Sequence, residues 1–328
     1  MKRFFSAAAA VVCLSAPAAH AITVDEIYVF GDSLNDCCIN PAAPFTNGPE
    51  TWLVEFAALL GASYAESTTY NYATGGAQSG DYNAIAPGGA PQPNGLQSQI
   101  DLFEGDAPAV DSDDLAVIWV GTNDIWASSY DSPTLFGIEG LDIVKPLGED
   151  PSTGDLTDYI IGNLQDAVID LREAGFGTVL LLTPYDIGDS ALVDSAGGSA
   201  QNTAYSEALS EAMLALYTPG IDTFVLDTVA LIRSLQDGSP ENGFTELTTA
   251  PSCTFGEILC ETRTPPEQDS FIYYDFVHLT RATNREVAMA AADLLQNGTP
   301  VAPVPLPAGG LLLLSAAGGL LLLRRRAT

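Results

Sequence analysis

IYVFGDS, residues 27–33, is a run of four apolar residues that ends in a glycine and two polar side chains. Short apolar runs bounded by turn residues are typical of buried strands. Further strand-like runs occur at 70–73, 115–120, 178–182 and 223–226. Because helix-like segments separate these runs, the sequence predicts an α/β domain whose parallel sheet is covered on both faces.

The segments between the strands carry the apolar spacing or the end signals of helices. We predict helices at 50–60, 96–103, 155–174, 202–216 and 280–295. Two stretches, 84–94 and 238–268, are interpreted as inserted loops. The pattern predicts one folded domain over residues 22–298. Ligands of such sheets bind beyond the carboxyl ends of the strands, which is where Ser33 lies.

The charge distribution restricts the class of partner. The formal net charge is −31, and between the two ends of the chain six basic residues stand against 42 acidic ones. Phosphate backbones would repel such a surface, so we expect no nucleic-acid partner. The simplest interpretation of the acidic surface is solubility, and a surface for a cationic partner is the alternative.

The first 21 residues predict export. Lys2 and Arg3 precede an apolar stretch, and Ala19-His20-Ala21 follows it. This pattern is typical of a secretory signal peptide that signal peptidase removes after Ala21. A structural N-terminal helix is the alternative interpretation.

The last 30 residues, 299–328, predict a second targeting segment. Three prolines within 301–307 indicate a stiff linker, 306–323 is apolar and uncharged, and three arginines follow. The segment is long enough to cross a bilayer with the arginines in the cytoplasm. It resembles the VPLPA variant of bacterial PEP-CTERM-type sorting signals, and 304–308 reads VPLPA. The resemblance implies a transient membrane anchor processed by an exosortase or rhombosortase-type enzyme; a permanent single-span anchor is the alternative. Either reading places the folded body in the periplasm, at the cell surface or outside the cell.

Cysteine use agrees with export. Four cysteines remain after the signal peptide, and an even count in an exported chain suggests disulfides. Cys253 and Cys260 close a short loop and are the pair we predict. Cys37 and Cys38 are adjacent, and their state is left open. A zinc site is a poor alternative because the body has one histidine.

That single histidine, His278, must serve any chemistry that needs an imidazole. Asp275 precedes it by three residues, so a turn can bring the carboxylate against the ring and orient it. Ser33 follows a predicted strand, and its hydroxyl needs such a base to become a nucleophile. The chain contains no Gly-x-Ser-x-Gly, so the nucleophile elbow of the α/β-hydrolases is not indicated.

Four separated blocks resemble the GDSL, or SGNH, hydrolases in the order of that family. They are FGDSLND at 30–36, NYATGGA at 71–77, GTND at 121–124 and the Asp-x-x-His of 275–278. The resemblance implies a flavodoxin-like three-layer α/β/α sandwich with a parallel sheet of about five strands. It also implies an exported serine hydrolase that cleaves acyl esters through an acyl-serine intermediate, without metal or organic cofactor.

The resemblance assigns roles to individual residues. Ser33 is the nucleophile, His278 the general base and Asp275 its orienting carboxylate. The N–H groups of Ser33 and Gly76 and the side-chain amide of Asn123 form the oxyanion hole, with Gly75 as the alternative to Gly76. The expected substrate is an ester of a lipid or an acylated saccharide. A polysaccharide O-deacetylase and a phospholipase or acyltransferase remain as alternatives, and so does a non-catalytic surface or matrix binding protein.

Overall fold

The structure is a computed structural model that describes residues 22–40, 43–88, 90–129, 139, 141–146, 155–189, 199–237, 242–245, 265–275 and 277–302. Three of the sequence predictions fall outside these residues: the signal peptide at 1–21, the disulfide between Cys253 and Cys260, and the sorting segment from residue 303 onward. Within the described part of the chain, no helix is long and apolar enough to span a membrane.

A parallel sheet forms the centre of the molecule. The strands within the described ranges are β1 (Ile27–Gly31), β2 (Ile85–Pro87), β3 (Leu115–Trp119), β4 (Leu141–Ile143), β5 (Thr178–Leu182) and β6 (Asp222–Leu226). Four of them pair in parallel in the order β1, β3, β5, β6. Every residue of β1, β3 and β5 is buried, which explains why these strands are continuously apolar rather than alternating.

Helices cover both faces of this sheet. Those within the described ranges are α1 (Trp52–Leu60), α2 (Leu96–Asp106), α3 (Thr122–Ser129), α4 (Leu156–Ala174), α5 (Ser199–Leu214), α6 (Thr228–Asp237), α7 (Pro265–Gln268) and α8 (Arg281–Asn297). Side chains of α2, α3, α4 and α5 form a buried cluster on one face, and those of α1, α6 and α8 form a second cluster on the other. The predicted three-layer α/β/α architecture is confirmed.

The ends of α4 illustrate how local sequence sets an element. The Asp155 carboxylate accepts hydrogen bonds from the N–H groups of Thr157 and Asp158, which caps the first turn. Gly175 ends the helix with φ of 121°, a conformation that favours glycine. Between these ends, apolar side chains at helical spacing face the sheet and are buried.

The sheet has one strand fewer than the sequence predicts. The predicted strand at 70–73 runs parallel to β1, and the N–H of Val29 donates to Tyr70 O while the N–H of Tyr72 donates to Val29 O, both at 2.8 Å. Only an isolated bridge between Val29 and Asn71 results. The Asn71 side chain bonds backbone groups instead, with Nδ2 donating to Asn35 O and Oδ1 accepting from the Ala73 N–H. The pairing with β1 does not continue as a ladder because the Gly31 N–H donates to Gln99 Oε1 instead of to the backbone of this segment.

A small antiparallel sheet replaces part of a predicted loop. The stretch 84–94 was interpreted as an inserted loop, but its residues 85–87 form β2, which pairs with β4. The partner strand lies more than 50 residues away in sequence, so no local hairpin signal marks the pair. Ile85 of β2 lines the cavity that also contains Ser33 and His278.

The carboxyl ends of the parallel strands meet at one edge of the sheet. Gly31 ends β1 and leads to Ser33, and Gly121 follows β3 and leads to Asn123. Gly31 has φ of 128°, and a Cβ placed there would lie 2.1 Å from Trp119 O. Only glycine lets the chain leave β1 this close to β3. The strand ends therefore place the polar residues of two separate blocks side by side.

Candidate active site

Ser33, His278 and Asp275 form a continuous chain of hydrogen bonds. His278 Nε2 lies 2.8 Å from Ser33 Oγ, and His278 Nδ1 lies 2.6 Å from Asp275 Oδ2. The serine and the histidine are 245 residues apart in sequence. The fold thus brings together the three residues that the sequence predicts to act together, in the geometry of a nucleophile, a base and an orienting carboxylate.

The Asp275 carboxylate also shapes the turn that carries the histidine. Its Oδ1 accepts the N–H groups of Val277 at 2.9 Å and His278 at 2.7 Å. Burial raises the pKa of Asp275, but the adjacent imidazole and these N–H groups outweigh it and hold the pKa below its usual range. Burial lowers the pKa of His278, but Asp275 and, more weakly, Asp32 outweigh it and raise the pKa of the imidazole. The pair therefore favours a carboxylate beside a ring that readily takes a proton.

Tyr185, three residues after the end of β5, supports the same turn. Its hydroxyl donates to Val277 O, the carbonyl that lies between Asp275 and His278 in the chain. Tyr185 is fully buried, and burial together with nearby Tyr273 and the carboxylates raises the pKa of its hydroxyl well above the usual value. The hydroxyl is therefore protonated at neutral pH and can donate this hydrogen bond.

The backbone donors expected of an oxyanion hole have no acceptors among the described residues. The N–H groups of Ser33 and Gly76 make no hydrogen bond within that part of the chain. The Gly75 N–H, in contrast, already donates to Asp36 Oδ2 at 2.9 Å. Gly76 has φ of 84°, and a Cβ there would lie 2.3 Å from Asn83 Oδ1. These contacts favour Gly76 over Gly75 as the donor.

Asn123 lies at the start of α3, and it lines the same cavity as Ser33 and Gly76. Its Nδ2 donates to Ala77 O at 3.1 Å and to Asp32 Oδ2 at 3.3 Å. Both Nδ2 hydrogens therefore have protein acceptors, and to serve a substrate oxygen the amide must exchange one of these bonds, of which the one to Asp32 is the longer. Its neighbour Asp124 is fully buried and accepts bonds from Ser79 N–H and Oγ, which fixes the first turn of α3.

Asp32, which precedes Ser33 in the chain, is buried. The Leu34 N–H donates to its Oδ1 at 3.0 Å, and Asn123 donates to its Oδ2. Burial raises the pKa of Asp32 to about 7, although the Leu34 N–H and the charge of His278 act in the opposite direction. These contacts agree with the interpretation of Asp32 as a residue that sets the loops, because it bonds the nucleophile turn and the Asn123 amide together.

Asp36 links the block at 30–36 to the block at 71–77 through hydrogen bonds. Its Oδ1 accepts the N–H groups of Cys38 and Ile39 at 3.0 Å, while its Oδ2 accepts the Gly75 N–H. Cys37 and Cys38, whose state the sequence left open, form a disulfide in the same turn. The buried carboxylate therefore holds the glycine loop of the site against the turn that follows the nucleophile.

The predicted site residues line one cavity of about 240 Å³. Ser33, Gly76, Asn123, Asp275 and His278 all contribute to its wall. The rest of the wall is mainly apolar and includes Leu34, Phe45, Ile85, Trp126, Ile187 and Val277. Ligand sites of this kind combine apolar walls with a few polar groups that orient the ligand. No cluster of side chains suited to a metal ion occurs in the described part of the chain.

Comparison with known families decides the identity of the chain. Residues 29–244 match the family model described as "GDSL-like Lipase/Acylhydrolase family". The chain belongs to the GDSL-like lipase/acylhydrolase family. It is a carboxylic ester hydrolase, with the three-layer fold that the four sequence blocks imply. The match ends before Asp275 and His278, so the geometry of this acylhydrolase is what joins them to Ser33.

Solved structures similar to this GDSL-like acylhydrolase include a catalytic mutant of the acetylxylan esterase Axe2 from Geobacillus stearothermophilus. It is 15% identical over 87% of this chain and 100% of its own, with a TM-score of 0.42. A member of the lipolytic protein G-D-S-L family from Veillonella parvula DSM 2008 is 16% identical over 84% of this chain and 100% of its own, with a TM-score of 0.43. No curated protein matches the chain.

Sequence reasoning missed three residues that shape the site of the acylhydrolase. Tyr185 follows β5 as Ser33 follows β1, so the rule that sites lie at strand ends could have found it. Asp36 is the last residue of the block at 30–36, but its hydrogen bond to the Gly75 N–H joins residues 39 positions apart, which no local pattern predicts. Phe45 lies in a segment without periodic pattern, and no feature of the sequence indicates its position.

Proposed function

We propose that the protein hydrolyses esters of short to medium apolar acyl groups through an acyl-Ser33 intermediate. The observation that carries the proposal is the hydrogen-bonded chain from Ser33 Oγ through His278 to Asp275 at the wall of an apolar cavity. A serine hydroxyl becomes a nucleophile only when a positioned base takes its proton, and His278 Nε2 is within reach of that proton.

In the proposed acylation step, Ser33 Oγ attacks the acyl carbonyl carbon while its proton passes to His278 Nε2. Asp275 holds the other ring nitrogen protonated and stabilises the imidazolium that forms. Negative charge develops on the carbonyl oxygen, where the N–H groups of Ser33 and Gly76 and the Asn123 amide can receive it. His278 then gives its proton to the leaving alkoxide, and the alcohol departs.

Deacylation uses the same groups with water as the nucleophile. His278 takes a proton from the water, which attacks the acyl carbon of the ester on Ser33. The oxyanion forms at the same three donors. When the tetrahedral intermediate breaks down, the proton on His278 returns to Ser33 Oγ, and the carboxylic acid is released with Ser33 restored.

The cavity supports the choice of acyl group. The volume of about 240 Å³ is several times the ~30 Å³ that one water occupies in the liquid, so the cavity has room for an acyl chain of several carbons. The apolar wall gains from burying such a chain, whereas an acetyl group would leave most of that wall uncovered. We therefore expect kcat/KM to be highest for acyl chains of about four to eight carbons.

The test compares wild type with Ser33→Ala on p-nitrophenyl esters that run from acetate to palmitate. Loss of at least about 10³-fold in kcat for Ser33→Ala is expected, because the covalent step is abolished. Equal rates for the two proteins would exclude Ser33 as the nucleophile, and two rates that both equal the uncatalysed rate would favour the alternative of a non-catalytic binding protein. A maximum at acetate, with faster release of acetate from an acetylated polysaccharide, would favour the O-deacetylase instead.

We also propose that the protein is exported, with the signal peptide removed after Ala21 and the tail 299–328 serving as a transient membrane anchor. The basic start and Ala-x-Ala end of 1–21, the VPLPA string at 304–308 and the arginine cluster support this. The disulfide of Cys37 and Cys38 suits an oxidising compartment. Signal peptidase and an exosortase or rhombosortase-type enzyme would be the processing partners. Intact-mass analysis of the native protein tests both cuts: a retained 311–323 segment would indicate a permanent anchor.

A further inference from the structure

The aromatic ring of Phe45 lies flat against the imidazole of His278. The two ring centroids are 4.7 Å apart, and the planes differ by 21°. The His278 side chain is only 12% exposed, so the phenyl ring is a substantial part of its surroundings. Phe45 also lines the cavity, which means that one side chain contacts both the general base and the space for the substrate.

The position of Phe45 does not depend on the ring contact alone. Two residues further along the chain, Asn47 Oδ1 accepts the N–H of Arg281 at 2.5 Å. Asn47 Nδ2 also lies 3.2 Å from Gln268 Oε1 and 3.3 Å from Asp269 Oδ1. Arg281 is the first residue of α8 and follows His278 by three positions. The loop of Phe45 and the turn of His278 are therefore attached to each other by polar bonds.

The other edge of the phenyl ring meets the glycine loop of the oxyanion hole. A Cβ placed at Gly75 would lie 3.1 Å from Cε2 of Phe45. The ring thus fills the space between the donor loop and the imidazole. A smaller side chain at this position would leave room for the imidazole to turn about its side-chain torsions and for water to enter.

The stacking has a chemical consequence when the imidazole becomes charged. His278 turns into an imidazolium as it takes the Ser33 proton, and the face of an aromatic ring within about 6 Å attracts such a cation. The other charged groups that face the imidazole are Asp275 at Nδ1 and, more distantly, Asp32. Both are carboxylates that act on the ring through charge, whereas Phe45 is the group stacked on its face.

We propose that Phe45 is a positioning residue, which holds the plane of the His278 imidazole with Nε2 towards Ser33 and stabilises its protonated form. This inference rests on the proposed role of His278 as general base. It goes beyond that role because it assigns part of the rate to a residue outside the four blocks. Phe45 takes no proton and forms no bond to the substrate in this proposal.

The kinetic test uses Phe45→Leu, which keeps apolar bulk without a ring, and Phe45→Tyr, which keeps the ring. For Phe45→Leu we expect kcat to fall about tenfold while KM changes less than about threefold, because the interaction is strongest in the transition state. Phe45→Tyr should stay close to wild type. Phe176→Leu is the matched control, since Phe176 is buried at the opposite end of the sheet, just before β5.

The second readout is the proton NMR spectrum of the chain from residue 22, in which His278 is the sole histidine. A stacked phenyl ring should move the imidazole resonances upfield in wild type and Phe45→Tyr, and Phe45→Leu should lose this shift. A wild-type spectrum without the shift overturns the stacking even if Phe45→Leu fails to fold. Loss of the shift with unchanged kcat overturns the catalytic part of the proposal. Full activity of Ser33→Ala would instead overturn the proposed function.

Discussion

Ser33 has an ordinary hydroxyl, and what distinguishes it from other serines is the pair of groups behind it. His278 Nε2 is at 2.8 Å from its oxygen, and Asp275 both raises the pKa of the imidazole and holds its Nδ1. The base must be neutral to accept the serine proton, so activity should rise with pH through the pKa of His278. The carboxylate therefore has two opposite effects on activity. It makes His278 a stronger base, and it moves the pH at which activity begins to rise to a higher value.

Asp275→Asn separates these two effects. Without the carboxylate, the pKa of His278 falls, so the acidic limb of kcat/KM should move to lower pH. The plateau should fall by about 10³- to 10⁴-fold, because the imidazolium loses its partner and the tautomer is no longer held. Profiles between about pH 5 and 9 on p-nitrophenyl butyrate measure both changes. Asp222→Asn, an exposed residue at the start of β6, is the control; a limb that moves to higher pH would contradict the assignment.

At the scale of elements, the turn that follows β1 depends on Gly31. Its N–H donates to Gln99 Oε1 at 2.8 Å, and its carbonyl accepts from Gln99 Nε2 at 2.9 Å, so α2 holds both sides of this residue. The positive φ and the contact with Trp119 O leave no space for a side chain. The position of Ser33 is therefore set by three elements: β1, β3 and α2.

Gly31→Ala should lower the free energy of unfolding by at least about 2 kcal/mol, because a Cβ meets backbone and φ is strained. Gly162→Ala is the matched control. Gly162 lies within α4, and a Cβ there has no neighbour within 4 Å, so this change should stabilise by about 0.4–1 kcal/mol. Urea denaturation followed by circular dichroism measures both. Equal stabilities for the two variants would show that the turn tolerates a side chain.

At the scale of the whole molecule, acidic residues repel one another across the surface. Asp170 on α4 is an example: burial raises its pKa, and the charges of Glu104, Asp166, Glu173 and Asp101 raise it further. Neighbouring carboxylates on α2 and α4 thus oppose the packing of these helices. The same repulsion keeps molecules apart in solution, which agrees with an acidic surface that serves solubility.

Salt should stabilise this protein. Between about 0.1 M and 1 M ionic strength, the Debye length falls from about 10 Å to about 3 Å, which screens the repulsion. We expect Tm to rise by at least about 2 °C over this range of NaCl. Asp170→Asn should raise Tm at low salt, and its advantage should shrink at high salt. If the difference in Tm between Asp170→Asn and wild type is the same at both salt concentrations, charge repulsion is not its cause.

The sequence by itself determined the order and the type of most elements. Buried parallel strands appear in the sequence as continuous apolar runs, so β1, β3 and β5, and residues 223–226 of β6, could be located from such runs. It also determined the candidate residues, because a body with one histidine leaves no other imidazole for a base. The helices α3, α6 and α7 and the strands β2 and β4 were not predicted, and α7 lies in the stretch 238–268 that was interpreted as a loop. The strand predicted at 70–73 remains a single bridge.

Only the tertiary structure decided which of these residues meet. The contact of Ser33 with His278 spans 245 positions, and no local pattern encodes such a distance. Asp36 decides between Gly75 and Gly76 by occupying one of their two N–H groups. Phe45 reaches His278 because Asn47 is bonded to the start of α8. Periodicity in a sequence reports which side of an element is buried, whereas the partners across a cavity follow from how the layers pack.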